Sequence, residues 1–264
     1  MTGCTKVSAG CLNCYAERMA SPRLRGRHGY PQDEPFSVVL RPERLVEPTR
    51  WTKPHVVFVC SMGDLFHEEV PRDFLDDVFA VMAQLPQHRF LVLTKRPARM
   101  KEYITGIPVS SNPSYHPRMR IASITGKLRN GVIDLDDAWP LPNVWLGTTT
   151  ENQETTDERI PLLLSTPAAG RFISMEPMLT PIKLNLGDRT HVAAHLFSDR
   201  YGHWGRIHWV IVGGESGIHP RFMEADWARD IRDDCAEAGV AFFMKQMSGK
   251  GPIPEDLMIR EYPW

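Results

Sequence analysis

Short runs that are apolar at nearly every position alternate along the chain with segments whose apolar residues recur every three or four positions. The apolar runs predict strands over 36–40 (Phe-Ser-Val-Val-Leu), 55–61, 89–94, 143–148, 171–174, 207–212 and 240–244. Each is rich in β-branched or aromatic residues and lacks a polar alternation, the pattern of strands buried on both faces of a parallel sheet. Helical spacing appears over 71–84, where Phe74, Val78, Phe79 and Met82 follow Pro71 and Asp73. It appears again over 224–238, which stops before Gly239, and over 13–20. Strand–helix alternation repeated this often predicts an α/β fold, either a TIM-like (β/α) barrel or a doubly wound sheet. Residues 105–142 and 183–206, rich in Pro, Gly, Asn, Asp and His, break the rhythm and read as loop insertions of the kind that often carry function.

Composition narrows the class. The chain has 264 residues, 42% hydrophobic and 24% charged, which suits one large domain over 1–264 and matches the size of an α/β barrel. A net charge of −1 gives no overall pull toward nucleic acid or a membrane surface. No apolar stretch is long enough to span a bilayer, and the N-terminal residues lack the apolar core of a signal peptide. A cytoplasmic, reducing location with no membrane partner is expected. The five cysteines therefore read as metal ligands or buried thiols rather than disulfides. Cys60, in the strand 55–61, and Cys235, in the helix 224–238, read as core thiols.

The other three crowd the start of the chain: Cys4, Cys11 and Cys14, in a loop that extends over about residues 1–30. Three thiolates so close in sequence can converge on one metal centre, and no fourth cysteine lies beside them. Three protein ligands with an open position suit catalysis better than a closed structural site. An iron–sulfur cluster of [4Fe–4S] type with one open iron is the expectation.

A polar cluster follows nearly every strand. The runs are Asp64 to His67, Thr94-Lys95-Arg96, Gly147 to Asn152, Ser174-Met175-Glu176, Gly213-Gly214-Glu215 and Lys245-Gln246. In a parallel barrel these positions share the C-terminal rim where active sites are built. Asp64, Lys95, Glu151, Glu176, Glu215 and Lys245 are therefore expected to line one cavity, with Asp64, Lys95, Glu176 and Lys245 as catalytic candidates. Gly213 and Gly214 would let backbone N–H groups approach a ligand, and Glu215 would take a cationic amine.

These blocks, from Thr2-Gly3-Cys4 and Gly10-Cys11-Leu-Asn-Cys14-Tyr15 through Ser61 to Phe66, Leu93 to Arg96, Ser174 to Pro177 and Val210 to Gly217, resemble a phage- and bacterium-encoded family of three-cysteine proteins of unknown function. That family in turn looks like the radical S-adenosylmethionine (SAM) enzymes. The resemblance implies that Cys4, Cys11 and Cys14 hold a [4Fe–4S] cluster whose free iron binds SAM. It implies that Thr94 or Lys95 meets the ribose, that Gly147 to Glu151 lies near the adenine, and that a flavodoxin- or ferredoxin-type reductant supplies electrons. The cysteine spacing is six and two residues where three and two is commonest, and Gly-Gly-Glu follows a late strand where the second strand is usual. A strand normally precedes the first cysteine, so a partial, open barrel is expected.

Other readings stay open. A zinc site would join the three cysteines to a histidine such as His28. A nucleic-acid binder would use Arg18, Arg23, Arg25, Arg27 and His28, with Tyr15 and Tyr30 for stacking. A metal-dependent hydrolase would use Asp64, His67 and Glu176. A nucleotide, nucleobase or nucleic acid is the expected substrate class.

Overall fold

The computed structural model describes residues 1–106, 139–184, 205–217 and 219–264. Six of the seven expected strands form: β1 (Val56–Val59), β2 (Arg89–Thr94), β3 (Val144–Thr149), β4 (Gly170–Met175), β5 (Trp209–Gly213) and β6 (Ala241–Gln246). They make one sheet in the order β1-β2-β3-β4-β5-β6. The described pairings are parallel, with Val56 opposite Arg89, Phe172 opposite Trp209 and Trp209 opposite Ala241. The fold is α/β, as the pattern predicts. Most of the expected insertions at 105–142 and 183–206 lies outside the described residues.

The strand expected over 36–40 does not form. Only Val39 pairs, in a single antiparallel bridge with Thr2, while Ser37 closes a turn onto the Glu34 carbonyl. Gly3 makes an equally isolated parallel bridge to Gly63. It does so at φ +86°, and a Cβ there would lie 1.9 Å from the Ser37 carbonyl oxygen, so only glycine fits. Cys60 lies just past β1 rather than inside it, in the left-handed region at φ 57°.

Helices lie between the strands. The segment expected as helix over 13–20 forms α1 (Tyr15–Met19), which runs on into a wider turn over Ala20–Leu24. Between β1 and β2 comes α2 (Arg72–Ala83), and after β2 comes α3 (Pro97–Thr105), which starts with proline at its first position and stops at Gly106 in the left-handed conformation. Between β3 and β4, α4 (Gln153–Leu164) opens on a reciprocal cap in which the Asn152 side chain accepts from the Thr155 N–H and Thr155 Oγ1 accepts from the Asn152 N–H. Between β5 and β6, α5 (Ala225–Ala238) ends at Gly239, φ 64°, where the sequence places its stop.

The residues cluster into two compact units. One comprises Met1–Thr5, Ala16–Leu146 and Thr166–Gly170. Its core gathers Leu65, Phe66, Leu75, Phe79, Met82, Met100, Tyr103 and Ile104, with the Phe79 and Tyr103 rings 5.1 Å apart. The buried Tyr103 hydroxyl donates to Asp76 at 3.0 Å, and the Asn143 amide donates to the carbonyls of Met82, Leu85 and His88. The other unit comprises Lys6–Tyr15, Gly147–Ser165 and Arg171–Trp264. Phe172, Met175, Val210, Val212, Ile231, Cys235 and Met244 fill its core. In this unit the outer edge of β6 is covered by the chain itself: Met244 N–H donates to the Ile259 carbonyl and Glu261 N–H to the Phe242 carbonyl.

Both thiols expected in the core are desolvated. Burial pushes Cys235 up to about 12 and the half-buried Cys60 up to about 11, so neither is reactive near neutral pH.

Candidate functional site

In the first unit the turn after β1 and the turn after β2 are tied together by one carboxylate. Asp64, 5% exposed, accepts from the Phe66 N–H and the Thr94 hydroxyl through Oδ1, and from the Lys95 N–H and Arg96 Nη1 through Oδ2. The Thr94 hydroxyl, 2.7 Å from Asp64, also accepts the Arg96 N–H. Asp64 and Thr94 are thus engaged in joining two loops, which accounts for their burial without a ligand.

Arg96 is the hub of this cluster. Nε lies 2.8 and 2.9 Å from the two Glu68 oxygens, Nη1 reaches Asp64 at 3.2 Å and the Cys4 sulfur at 3.5 Å, and Nη2 reaches the carbonyl and hydroxyl of Thr5. Burial opposes the Arg96 charge, but the Glu68 hydrogen bonds and the nearby Asp64 and Cys4 outweigh it, and its pKa moves up. His67, 2% exposed, has its pKa lowered by burial first and by Arg96 second. Its Nδ1 accepts the Glu69 N–H, so the proton of the neutral ring sits on Nε2 and is donated to Thr5 Oγ1 at 2.8 Å.

In the second unit two buried carboxylates hold the loop that carries Cys11 and Cys14. Glu151, fully buried, accepts from the Ser8 hydroxyl at 2.7 Å and from Arg159, which also donates to the Thr149 carbonyl. Gly10 lies flat against this side chain, and a Cβ there would come within 2.5 Å of Glu151 Cγ. Glu215, 4% exposed, accepts from the Asn13 amide at 2.7 Å, from the Arg221 N–H and from the Arg221 guanidinium, which also donates to the Ala9 carbonyl. Burial alone would raise the Glu215 pKa, but the Arg221 and Asn13 hydrogen bonds hold it down at about 2. Both carboxylates, expected near a ligand's adenine and amine, therefore meet protein donors.

The glycines beside them are packed as well. A Cβ on Gly147 would enter the Phe172 ring at 2.5 Å, one on Gly213 would lie 2.7 Å from Glu176 Oε1, and one on Gly214 would lie 2.3 Å from the Ser248 nitrogen. The Phe172 ring and the Ser248 backbone thus require glycine at 147 and 214, whereas at 213 only the mobile end of Glu176 would have to shift. What remains open in this unit is the pair Glu176 and Lys245, 2.9 Å apart with Ser174 donating to the carboxylate; the lysine side chain is 54% exposed. Two buried hydroxyls, Thr150 Oγ1 in this unit and Thr2 Oγ1 in the first, have no hydrogen-bond partner among the described residues.

Asp64, Lys95, Glu151, Glu176 and Glu215 each stand just past a strand, whereas Lys245 lies inside β6, which runs on to Gln246. Asp64 joins the Lys95 backbone in the first unit, and Glu176 joins Lys245 in the second. Arg159 and Arg221 escape sequence reading because each pairs with its glutamate across a loop or helical turns; an arginine on the helix after a strand-end glutamate is the signal that finds Arg159. Among the described residues no three His, Cys, Asp or Glu side chains stand close enough to hold a metal ion. Cys4, Cys11 and Cys14 form no disulfide, and Cys11 is buried with its sulfur 3.7 Å from Ser8 Oγ. Arg23, Arg25, Arg27 and His28 are exposed, whereas Tyr30 is 8% exposed with Arg41 over its ring, so it is not a stacking platform.

No helix among the described residues is long and apolar enough to cross a membrane. A family model described as "Protein of unknown function (DUF5131)" matches residues 1–256. No curated protein and no solved structure matches the chain.

Proposed function

The chain belongs to that family, and from this premise we propose that it is a radical-SAM-type iron–sulfur enzyme on an open (β/α) barrel, with Cys4, Cys11 and Cys14 as the ligands of a [4Fe–4S] cluster. The observation that supports the reading is the set of three cysteines within eleven residues of sequence, none of them in a disulfide, with Ser8 and Asn13 beside two of them held by the buried Glu151 and Glu215. The donor chemistry fits the group, since soft thiolates suit iron–sulfur clusters and Cys4 already accepts an N–H from a cationic side chain. When bound, the cluster and SAM supply reductive cleavage to a 5′-deoxyadenosyl radical, with electrons from a flavodoxin- or ferredoxin-type partner.

The chain's own residues position and shield. Ser8 and Asn13, held by Glu151 and Glu215, order the backbone around Cys11 and Cys14, so the loop loses little entropy when it closes on metal. The Thr150 hydroxyl, buried in the Gly147 to Glu151 stretch, retains hydrogen-bonding capacity for a polar ligand. Glu176 and Lys245 supply an accessible acceptor and donor for a substrate. The exposed Arg23, Arg25, Arg27 and His28 suit a phosphate-bearing substrate, which supports a nucleotide, nucleobase or nucleic acid.

Anaerobic reconstitution tests the reading. The protein should take up about four irons per chain and turn brown, and Cys14→Ala should lose the colour. With SAM and dithionite, 5′-deoxyadenosine should appear by mass above a Cys11→Ala control. Tight zinc at one per chain with no iron uptake, or no 5′-deoxyadenosine above the control, overturns it.

A further inference from the structure

We infer that the face shared by β6 and the segment lying along it is a stacking surface for single-stranded nucleic acid. The rings of Tyr262 and Trp264 form the platform, and Arg260 and Lys245 meet phosphates. The inference takes up the nucleic-acid reading of the substrate, gives it a place, and needs no metal centre. Every residue it uses lies in the second unit.

Pairing puts these side chains on one face. Phe243 and Arg260 stand opposite each other in an antiparallel bridge. Side chains alternate along extended backbone, so Phe243 and Lys245 share a face with Arg260 and Tyr262. The Arg260 guanidinium lies 5.8 Å from the centre of the Phe243 ring. Glu261, the acid beside it, is drawn to the Phe242 N–H.

The exposed rings rest on buried ones. Trp209, 5% exposed, donates its indole N–H to the Glu261 carbonyl. Its ring lies 5.8 Å from Phe243, 5.9 Å from Tyr262 and 5.3 Å from Trp264. Tyr262 in turn lies 5.4 Å from Phe243 and 5.6 Å from Trp264. Even so, Tyr262 is 56% exposed and Trp264 43%. Rings held in place before a ligand arrives lose little entropy when it stacks on them.

Charge and size select the occupant. Every base has a π-face that stacks on a tyrosine or tryptophan ring, and a neighbouring cation takes the phosphate. Arg260 flanks the rings, and Lys245, paired with Glu176 at 2.9 Å, continues the cationic edge past Phe243 with its side chain still open. Two half-open rings offer far less than the roughly 800 Å² that a standard protein interface takes from each partner. They suit a ligand that binds ring by ring.

The experiment uses metal-free protein and fluorescein-labelled oligo(dT) and oligo(U) of roughly twelve nucleotides, read by anisotropy and tryptophan emission at low salt. Both strands should bind within about threefold of each other, since rings and cations do not read the 2′-hydroxyl, and should quench the emission. Tyr262→Ala and Trp264→Ala should each weaken binding roughly tenfold, while Tyr262→Phe and Trp264→Phe, which keep a ring, should retain it. Duplex DNA, its bases already stacked, should bind at least about tenfold more weakly. The slope of log K against log salt should fall by about 0.7 in Arg260→Gln. Urea midpoints control for folding, and if an alanine variant is unfolded, the quenching and the Arg260→Gln slope decide. Unchanged binding in folded alanine variants overturns the platform and leaves the nucleic-acid substrate standing. No binding of either strand by wild type overturns both. A wild-type dimer that Trp264→Ala turns into a monomer assigns the rings to a second copy of the chain and overturns the inference as well.

Discussion

The Ser8 hydroxyl donates to the Glu151 carboxylate at 2.7 Å, across 143 residues of sequence. A loop residue between the first two cysteines is thereby fastened to a charged group that is itself buried against Arg159. Removing one partner of a buried pair leaves the other charge uncompensated, so Glu151→Ala should destabilise the protein by about 3–5 kcal/mol. Ser8→Ala removes one hydrogen bond to a charge and should cost about 1.5–3 kcal/mol. Urea denaturation of both variants and of the double mutant measures the coupling, and additive losses would show that the pair does not interact.

Gly10 offers a steric test of the same fastening. Its missing Cβ is replaced by the Glu151 side chain, which Ser8 and Arg159 prevent from moving away. Gly10→Ala should therefore cost about 1–3 kcal/mol, and the loss should shrink in a Glu151→Ala background. Thermal unfolding of the single and double variants reads this.

Glu215 makes stability depend on acid. Its folded pKa of about 2 lies below the unfolded value of about 4.3, so its contribution is present above the unfolded value and is lost as pH falls toward 2. The stabilisation is at most about 3 kcal/mol from a shift of this size. Denaturation midpoints at pH 7 and pH 3 should differ less in Glu215→Gln than in wild type, and an equal difference would remove Glu215 as the source.

Thr150 separates fold from ligand. Its hydroxyl is buried without a partner among the described residues, so Thr150→Val should leave the melting temperature unchanged or raised. If that hydroxyl serves SAM, the affinity of reconstituted protein for SAM falls by about a factor of five, the worth of one hydrogen bond. Differential scanning fluorimetry and equilibrium dialysis give the two numbers, and a lower melting temperature with unchanged affinity would make Thr150 a packing residue.

Much of the fold was legible from apolar runs, because a buried parallel strand shows its burial in every residue, as Val144 to Thr149 and Phe172 to Met175 do. The run over 36–40 carries the same signal and fails, since pairing needs a neighbouring strand and Val39 finds only Thr2. The rim positions of Asp64, Glu151 and Glu215 were also legible, as residues just past a strand. Their partners were not. Asn13 meets Glu215 across 202 residues and Cys4 meets Arg96 across 92, and no local pattern records such pairs. The glycines misled for a related reason: Gly147, Gly213 and Gly214 signal close approach, but the sequence does not say that protein atoms are what approach.

The segment lying along β6 has a consequence for how this chain can vary. Three described hydrogen bonds tie it to the strand: the Ile259 carbonyl accepts the Met244 N–H, the Glu261 N–H donates to the Phe242 carbonyl, and the Glu261 carboxylate accepts the Phe242 N–H. So far as these bonds are concerned the side chain at 259 is free to drift over generations, whereas position 261 is held twice, since a codon change to proline removes both its N–H donor and its carboxylate acceptor. Relatives should differ freely in residue type at 259 and yet keep an acceptor side chain, and never proline, at 261.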